Sequence, residues 1–320
     1  MRIVRSCDNF NPAPEGCGVG LGNFDGVHLG HMALLELLTV KCRELHVLPF
    51  IYTFSMHPTH VINKMKPAPL IMTEEQRLDI FEKSGIDTVY LEDFNENFAS
   101  LSPQKFVEKI LLEKLNVRMV VVGYDYTFGY KGSGTAADMQ EFGRKYGFEV
   151  YILPPVELGN EKISSTILRQ LISEGKMREF KRYAGRYYSL PGEVVIGRKV
   201  GRQLGFPTAN ILPRKGFALP NPGVYMTYTF VEGDSKLYQS VTNIGSNPTF
   251  NENIPVTVET HIIDYNKGLY GEKIEVFFAE KLREEIKFSS VALLQAQLQK
   301  DINNARSKGT EFNETEFHKN

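Results

Sequence analysis

A chain of 320 residues with 42% hydrophobic and 23% charged side chains has the composition of an ordinary globular protein and the length of two domains. Its formal net charge of −1 offers no global field for nucleic acid or a membrane surface, so a polyanionic ligand must be held by local donors and a metal ion. Cys7, Cys17 and Cys42 lack CxxC or Cys/His metal spacing and read as free thiols, and no stretch approaches the ~18 apolar residues of a membrane span, which together predict a cytoplasmic protein.

In chain order, Gly18 to Leu21 reads as a buried strand with glycine on both sides, and Met32 to Leu45 carries apolar residues at helical spacing. Between them lies Gly22-Asn23-Phe24-Asp25-Gly26-Val27-His28-Leu29-Gly30-His31, which puts His28 and His31 near a first helical turn. Free backbone N–H groups and the positive end of the helix dipole favour an anion there, and two imidazoles three residues apart share a helix face. A lone histidine or a Gly-x-Gly pattern is weak evidence, but strand, glycine-rich turn, HxGH and helix together have the context of a phosphate site.

Val47 to Phe54 reads as a strand ending in Thr53-Phe54-Ser55-Met56-His57-Pro58. Thr73 to Lys83 is a helix with Gln76 at the capping-box position, Thr88 to Leu91 a strand, and Ser102 to Leu115 a helix with Pro103 in its first turn. The strand Met119 to Val122 leads into the loop Gly123-Tyr124-Asp125-Tyr126-Thr127-Phe128-Gly129, followed by a helix from Ala136 to Tyr146 and a strand from Glu149 to Leu153. Ile163-Ser164-Ser165-Thr166-Ile167-Leu168-Arg169 opens another helix; an N-cap explains one hydroxyl, whereas three hydroxyls and an arginine form an anion cradle. This alternation predicts an α/β domain, a parallel sheet covered by helices on both faces with ligands at the carboxyl ends of its strands.

After Gly185 short segments rich in Val, Ile, Thr, Tyr and Phe predict an antiparallel barrel or sandwich: 187–196, 223–231, 237–243, 256–263 and 274–278. Val291 to Ala305 reads as a closing amphipathic helix, followed by a polar tail. Within Gly201-Arg202-Gln203-Leu204-Gly205-Phe206-Pro207-Thr208-Ala209-Asn210, Thr208 and Asn210 project to one side of an extended segment and offer hard oxygens suited to Mg²⁺. Downstream come the loop Asn243-Ile244-Gly245-Ser246-Asn247-Pro248-Thr249-Phe250 and the strand Val256 to Asp264. Alternation puts Val258, Thr260, Ile262 and Asp264 on one side and Thr257, Glu259, His261 and Ile263 on the other, so a carboxylate and an imidazole can look into one cavity. A glutamate on a strand is ordinarily a solvated group; flanked by valines near a phosphate site it can be a base.

These motifs resemble, in order and over nearly the whole chain, those of the bacterial bifunctional riboflavin kinase/FAD synthetases: HxGH, the HP turn, the GxDxxFG loop and ISSTxxR in the first half, and GFPTAN, NIGxxPTF and a VExH strand in the second. The family's loop usually reads DF-x-FG, and Tyr126 here keeps the ring while adding a hydroxyl. The resemblance implies a Rossmann-like nucleotidyltransferase domain over 1–184, a riboflavin-kinase-type β-barrel with a closing helix over 185–306, and a tail over 307–320. It further implies that ATP phosphorylates riboflavin to FMN and then adenylylates FMN to FAD.

In the adenylyltransferase, His28, His31 and Arg169 would stabilise phosphate charge, with Gly22, Asn23, Phe24, Asp25, Gly30, Ser164, Ser165 and Thr166 around ATP. His57, Gly123, Asp125, Phe128 and Gly129 would contact adenosine or flavin. In the kinase, Lys199, Gly201, Gly205, Pro207, Thr208 and Asn210 would hold ATP, with Mg²⁺ on Thr208 and Asn210. Glu259 would be the base, and His261 and Arg283 would contact riboflavin, with 282–288 as a flavin-side flap. A phosphate nucleophile is already ionised near neutral pH, with a second pKa of about 6, whereas an alcohol is not, which explains a base in the second site alone. Expected partners are riboflavin, FMN and ATP, with no nucleic acid or membrane, in a monomer or weak homo-oligomer. The alternatives are a flavin- or nucleotide-binding regulator and an enzyme with one active module.

Overall fold

The computed structural model describes residues 1–6, 8, 10–56, 58–59, 67–197, 201, 204–245 and 256–309. Cys7, His57, Lys199 and the loop segment 246–250 lie outside the described residues. The chain divides into two compact units, Met1–Ser165 and the remainder from Thr166.

Six parallel strands carry the first unit: β1 (Arg2–Arg5), β2 (Cys17–Leu21), β3 (Leu48–Phe54), β4 (Thr88–Glu92), β5 (Val117–Gly123) and β6 (Glu149–Leu153). Their order is β1-β4-β3-β2-β5-β6. In β5, Val120 and Val122 enter one core with Tyr52, Tyr90 and Met139, while Met119 and Val121 enter another with Leu34, Leu38 and Phe81. A strand covered on both faces needs such a continuous apolar run, because alternate side chains point opposite ways. The cover on one face comes from α1 (Leu29–Leu45) and α2 (Glu74–Lys83), and on the other from α3 (Pro103–Phe106) and α4 (Ala136–Tyr146).

The capping box of α2 forms as expected: Gln76 N–H donates to Thr73 Oγ1 at 3.1 Å and Thr73 N–H to Gln76 Oε1 at 2.8 Å. The helix expected over 102–115 begins with Pro103 but widens into a π-helix over Val107–Lys114, with Leu115 N–H donating five residues back to Ile110 O at 3.0 Å. Within it Val107, Ile110 and Leu111 are buried in one core. Strand β1 was not expected from sequence; it pairs along β4 with only Val4 buried.

From β2 the chain runs to β3 and β4 on one side, and β5 and β6 lie on the other. The strand order therefore reverses between β2 and β5, and the crevice at their carboxyl ends is where an open α/β sheet binds ligands. The loop Gly22–His28 and the loop Gly123–Gly129 leave these two strands.

The second unit opens with α5 (Ser165–Glu174), whose first residue belongs to the first unit, and α6 (Met177–Ala184). A closed antiparallel barrel follows, resolving the choice between barrel and sandwich: β7 (Tyr188–Val195), β8 (Ala209–Ile211), β9 (Gly223–Val231), β10 (Leu237–Gly245), β11 (Thr257–Ile262) and β12 (Lys273–Arg283). Its order is β7-β8-β11-β10-β9-β12, with β12 closing on β7. Inside, Thr227, Thr229, Ser240, Thr242 and Thr260 are fully buried and satisfy one another by hydroxyl contacts of 2.7–2.9 Å.

Strand β12 extends to Arg283 rather than Phe278, because register shifts against β9 let it bend and keep pairing. Alternation in β11 ends at Ile262: Ile263 is buried, and Asp264 is exposed at φ +59, where the chain turns. The closing helix α7 (Val291–Gly309) runs past Ala305 and packs Ile302 and Ala305 on Val224, Met226 and Val241. No helix among the described residues is long and apolar enough to cross a membrane.

Candidate active sites

In the first unit His28 is the N-cap of α1, and its Nδ1 accepts the His31 N–H at 3.2 Å. With its Nδ1 lone pair so engaged, a neutral His28 carries its proton on Nε2, the opposite side of the ring. The two imidazoles stack with centroids 3.7 Å apart. Gly30 makes this possible, since a Cβ there would meet the His28 ring at 3.1 Å. The amides of Leu29 and Gly30, as the first of the helix, have no intrahelical acceptor and add donors beside the imidazoles. The site thus presents N–H groups to an anion at the switch point of the sheet.

The loop before it is strained and packed. Phe24 and Val27 adopt φ +51 and +26, costly for residues with a Cβ, and both are fully buried in the core that surrounds α1. Phe24 packs on His31 and Phe81, so its side chain shapes the site from within the core. The Asp25 carboxylate accepts the Ile71 N–H at 3.1 Å, and the Ser165 hydroxyl donates to the Asp25 carbonyl at 2.7 Å, bringing the ISSTILR start onto this loop. Gly22 and Asn23 follow β2, with Asn23 exposed. Ser164 is partly buried; further along, Thr166 is exposed and Arg169, partly buried, lies one turn beyond Ser165 on α5.

Sequence reasoning overlooked Arg77. Its Nη1 donates to the Asn23 carbonyl and its Nη2 to the Phe54 carbonyl, both at 2.9 Å, clamping the glycine-rich loop to the end of β3. Burial pushes its pKa down, and Asp25 and Glu74 oppose that shift. As one polar residue in a charged helix, Arg77 carried no sequence signal. In the loop after β5, Asp125 is exposed, Gly123 is partly covered, Phe128 is buried against Phe106, and Gly129 at φ +74 lies so close to Pro103 that a Cβ would collide with it.

In the barrel, pairing sets Asn210, Glu259 and Asn243 side by side across β8, β11 and β10. Glu259 and His261 share the outer face, while Val258, Thr260 and Ile262 point into the barrel, as the alternation requires. That outer face borders a cavity of about 260 Å³ lined by Thr208, Glu259, His261, Val224, Leu298 and Ile302 among others. Gly201 also lines it; Gly205 and Pro207 are exposed in the same loop. Arg283 reaches the cavity but gives Nε and Nη2 to Asp301 of α7, at 3.0 and 2.7 Å, in an ion pair whose carboxylate is buried and whose guanidinium is partly exposed. Asn243, already quoted in the NIG motif, and the α7 residues were not singled out beforehand; the latter reach the site only through tertiary docking.

Two family models match the chain, FAD synthetase over residues 10–167 and riboflavin kinase over 184–308. Among curated relatives, the bifunctional riboflavin kinase/FMN adenylyltransferase of Buchnera aphidicola from Schizaphis graminum is 36% identical over 94% of this chain and 97% of its own. The proteins of the same name from Listeria monocytogenes and Escherichia coli K12 are 36% and 33% identical, over 90% and 96% of this chain and 91% and 97% of theirs. A crystal structure from Streptococcus pneumoniae, described as a macrolide-efflux protein, superposes with a TM-score of 0.85 at 30% identity, covering 96% of this chain and 99% of that one. With both halves matched in order and full-length relatives of one name, the chain belongs to the bifunctional riboflavin kinase/FMN adenylyltransferase family.

Proposed function

We propose that this chain makes FAD in two steps, phosphorylating riboflavin with ATP and then transferring AMP from a second ATP to the FMN. The modules are assigned to 1–184 and 185–306, followed by a tail, and the enzyme to the cytoplasm. The observation that carries the reading is the Asn210–Glu259–Asn243 row beside a cavity whose wall is apolar at Leu298 and Ile302 of α7 and at Val224 and Val241 of the barrel, and polar at Thr208, Asn243, Glu259 and His261. Such a cavity suits a flat apolar ring bearing a polyhydroxyl chain.

In the kinase, Glu259 accepts the proton of the terminal ribityl hydroxyl as its oxygen attacks the γ-phosphorus of ATP and ADP leaves. Thr208 and Asn210 supply a hydroxyl and a carboxamide oxygen, a donor set that fits Mg²⁺ arriving with ATP. When bound, that ion neutralises phosphate charge. Gly201, Gly205, Pro207 and the undescribed Lys199 are assigned to the ATP loop.

In the adenylyltransferase, an FMN phosphate oxygen attacks the α-phosphorus of ATP and pyrophosphate leaves. No base is needed for an ionised phosphate, so His28 Nε2–H, His31 and the first amides of α1 act by holding charge. Ser164, Ser165, Thr166 and Arg169 are assigned to the same triphosphate on the strength of their motif, and the 123–129 loop with His57 to adenosine or flavin. Glu259→Gln tests the division of labour: it is expected to abolish FMN formation and to leave FAD formation from supplied FMN unchanged. Full kinase activity in that variant would overturn the assigned base.

A further inference from the structure

Ahead of Thr208, the described residues Gly201, Leu204 and Phe206 are tied to one another through their backbones. The Gly201 carbonyl accepts the Leu204 N–H at 3.1 Å and the Phe206 N–H at 2.8 Å, and a Cβ on Gly201 would collide with the Phe206 carbonyl. Gly205 takes φ +84, a conformation that glycine adopts without cost. These features shape the backbone there. Gln295 of α7 reaches the Leu204 carbonyl at 3.3 Å, and the tie to the barrel comes from His261.

His261 Nδ1 lies 2.8 Å from the Pro207 carbonyl, and its ring stands at 79° to that of Phe206 with centroids 5.8 Å apart. A carbonyl oxygen only accepts, so Nδ1 carries the proton that makes this bond. Pro207 precedes Thr208, and His261 lies two residues beyond Glu259 on the same face of β11. One side chain on the rigid strand that carries Glu259 thereby holds the backbone that carries Thr208.

We infer that His261 is a positioning residue for the kinase step, fixing the Pro207–Thr208 backbone, and with it the ATP phosphates, relative to Glu259. The inference rests on the kinase reading of Thr208 and Glu259. Its physical content is the steep dependence of phosphoryl transfer on alignment, where a misplacement of about 1 Å costs about 10²-fold in rate. A direct contact with riboflavin is the competing role for a ring that also lines the cavity.

The test compares His261→Ala, →Asn and →Gln, with thermal melts matched to the parent protein to establish folding. Asparagine places an amide N–H where Nδ1–H stands, whereas glutamine places one nearer the position of Nε2. The expected result for His261→Ala is a fall of about 10²-fold in kcat/KM for ATP with Mg²⁺, with riboflavin affinity from fluorescence titration unchanged. His261→Asn recovers most of the loss and His261→Gln does not. A loss of riboflavin affinity with ATP kinetics intact would overturn the inference, as would equal behaviour of the asparagine and alanine variants. FMN formation by the parent protein separates the two readings: its absence overturns the kinase assignment, whereas its presence alongside an unimpaired His261→Ala overturns the positioning role alone.

Discussion

Replacing Asp301 by alanine should weaken the hold of α7 on the barrel without touching the first unit. The Asp301 side chain is 4% exposed and meets Arg283 through Nε at 3.0 and 3.1 Å and through Nη2 at 2.7 Å. Gln297 Nε2 adds a bond to Asp301 Oδ1 at 2.8 Å. Removing one partner of a buried pair costs about 3–5 kcal/mol, because the remaining charge is left desolvated. Arg283 keeps 17% exposure and a bond from Nη1 to the Glu284 carbonyl, which lets water reach it and points to the lower end, about 3 kcal/mol. For a unit of this size that is a fall of about 6–12 °C in Tm. Scanning calorimetry, with kinase and adenylyltransferase inactivation followed in parallel, reads the effect: the kinase is lost at the lower temperature and the adenylyltransferase is not. An Arg283→Met, Asp301→Leu double variant should recover stability, since apolar packing replaces such pairs at little cost. A fall below about 2 °C, equivalent to about 1 kcal/mol or less, would refute the claim that this pair holds the helix.

His28→Asn keeps an N-cap acceptor and loses the Nε2–H, so adenylyl transfer should collapse while stability holds; His28→Ala should lose both, with the missing cap costing about 1 kcal/mol in denaturant titration. Equal stability of the two variants would contradict the cap seen at α1. Arg77→Ala should release Asn23 from Phe54 and lower FAD formation by about 10²-fold while leaving FMN formation alone; unimpaired FAD formation would show the clamp to be dispensable. Burial pushes the Cys42 thiol up to about 12 and Cys17 higher still. Because the thiolate is the reactive form, both should resist alkylation at pH 8 in the native protein and react on unfolding, as peptide mass mapping would show.

Legibility from sequence followed how local each feature is. The capping box at Thr73 and Gln76 and the Thr135 and Gly147 ends of α4 are written in a few adjacent residues, and both helices appeared where expected. The alternation of Thr257 to Ile262 likewise foretold that Glu259 and His261 share a face. Strand β1, with two arginines in four residues, has one buried side chain and exists through its pairing with β4. Strand β8 is three residues long and read as part of a binding loop; only its ladder to β11 makes it a strand. The π-helix depends on bonds five residues apart, and no spacing in Val107–Lys114 announces them.

The same division holds at the sites. HxGH, ISSTILR and PTAN stand in the sequence because each is a contiguous motif, and the structure adds how Gly30 and the His28 cap arrange the imidazoles. Arg77 and the α7 wall of the cavity join their sites across long sequence separations, so only the fold reveals them.

The most direct test of two consecutive activities in one chain is a time course with riboflavin, ATP and Mg²⁺, the flavins being separated chromatographically. The account predicts that FMN appears first and FAD follows, with one ATP converted to ADP per FMN and pyrophosphate released with each FAD. Riboflavin that binds and stays unchanged would contradict it, as would FMN that accumulates and never becomes FAD.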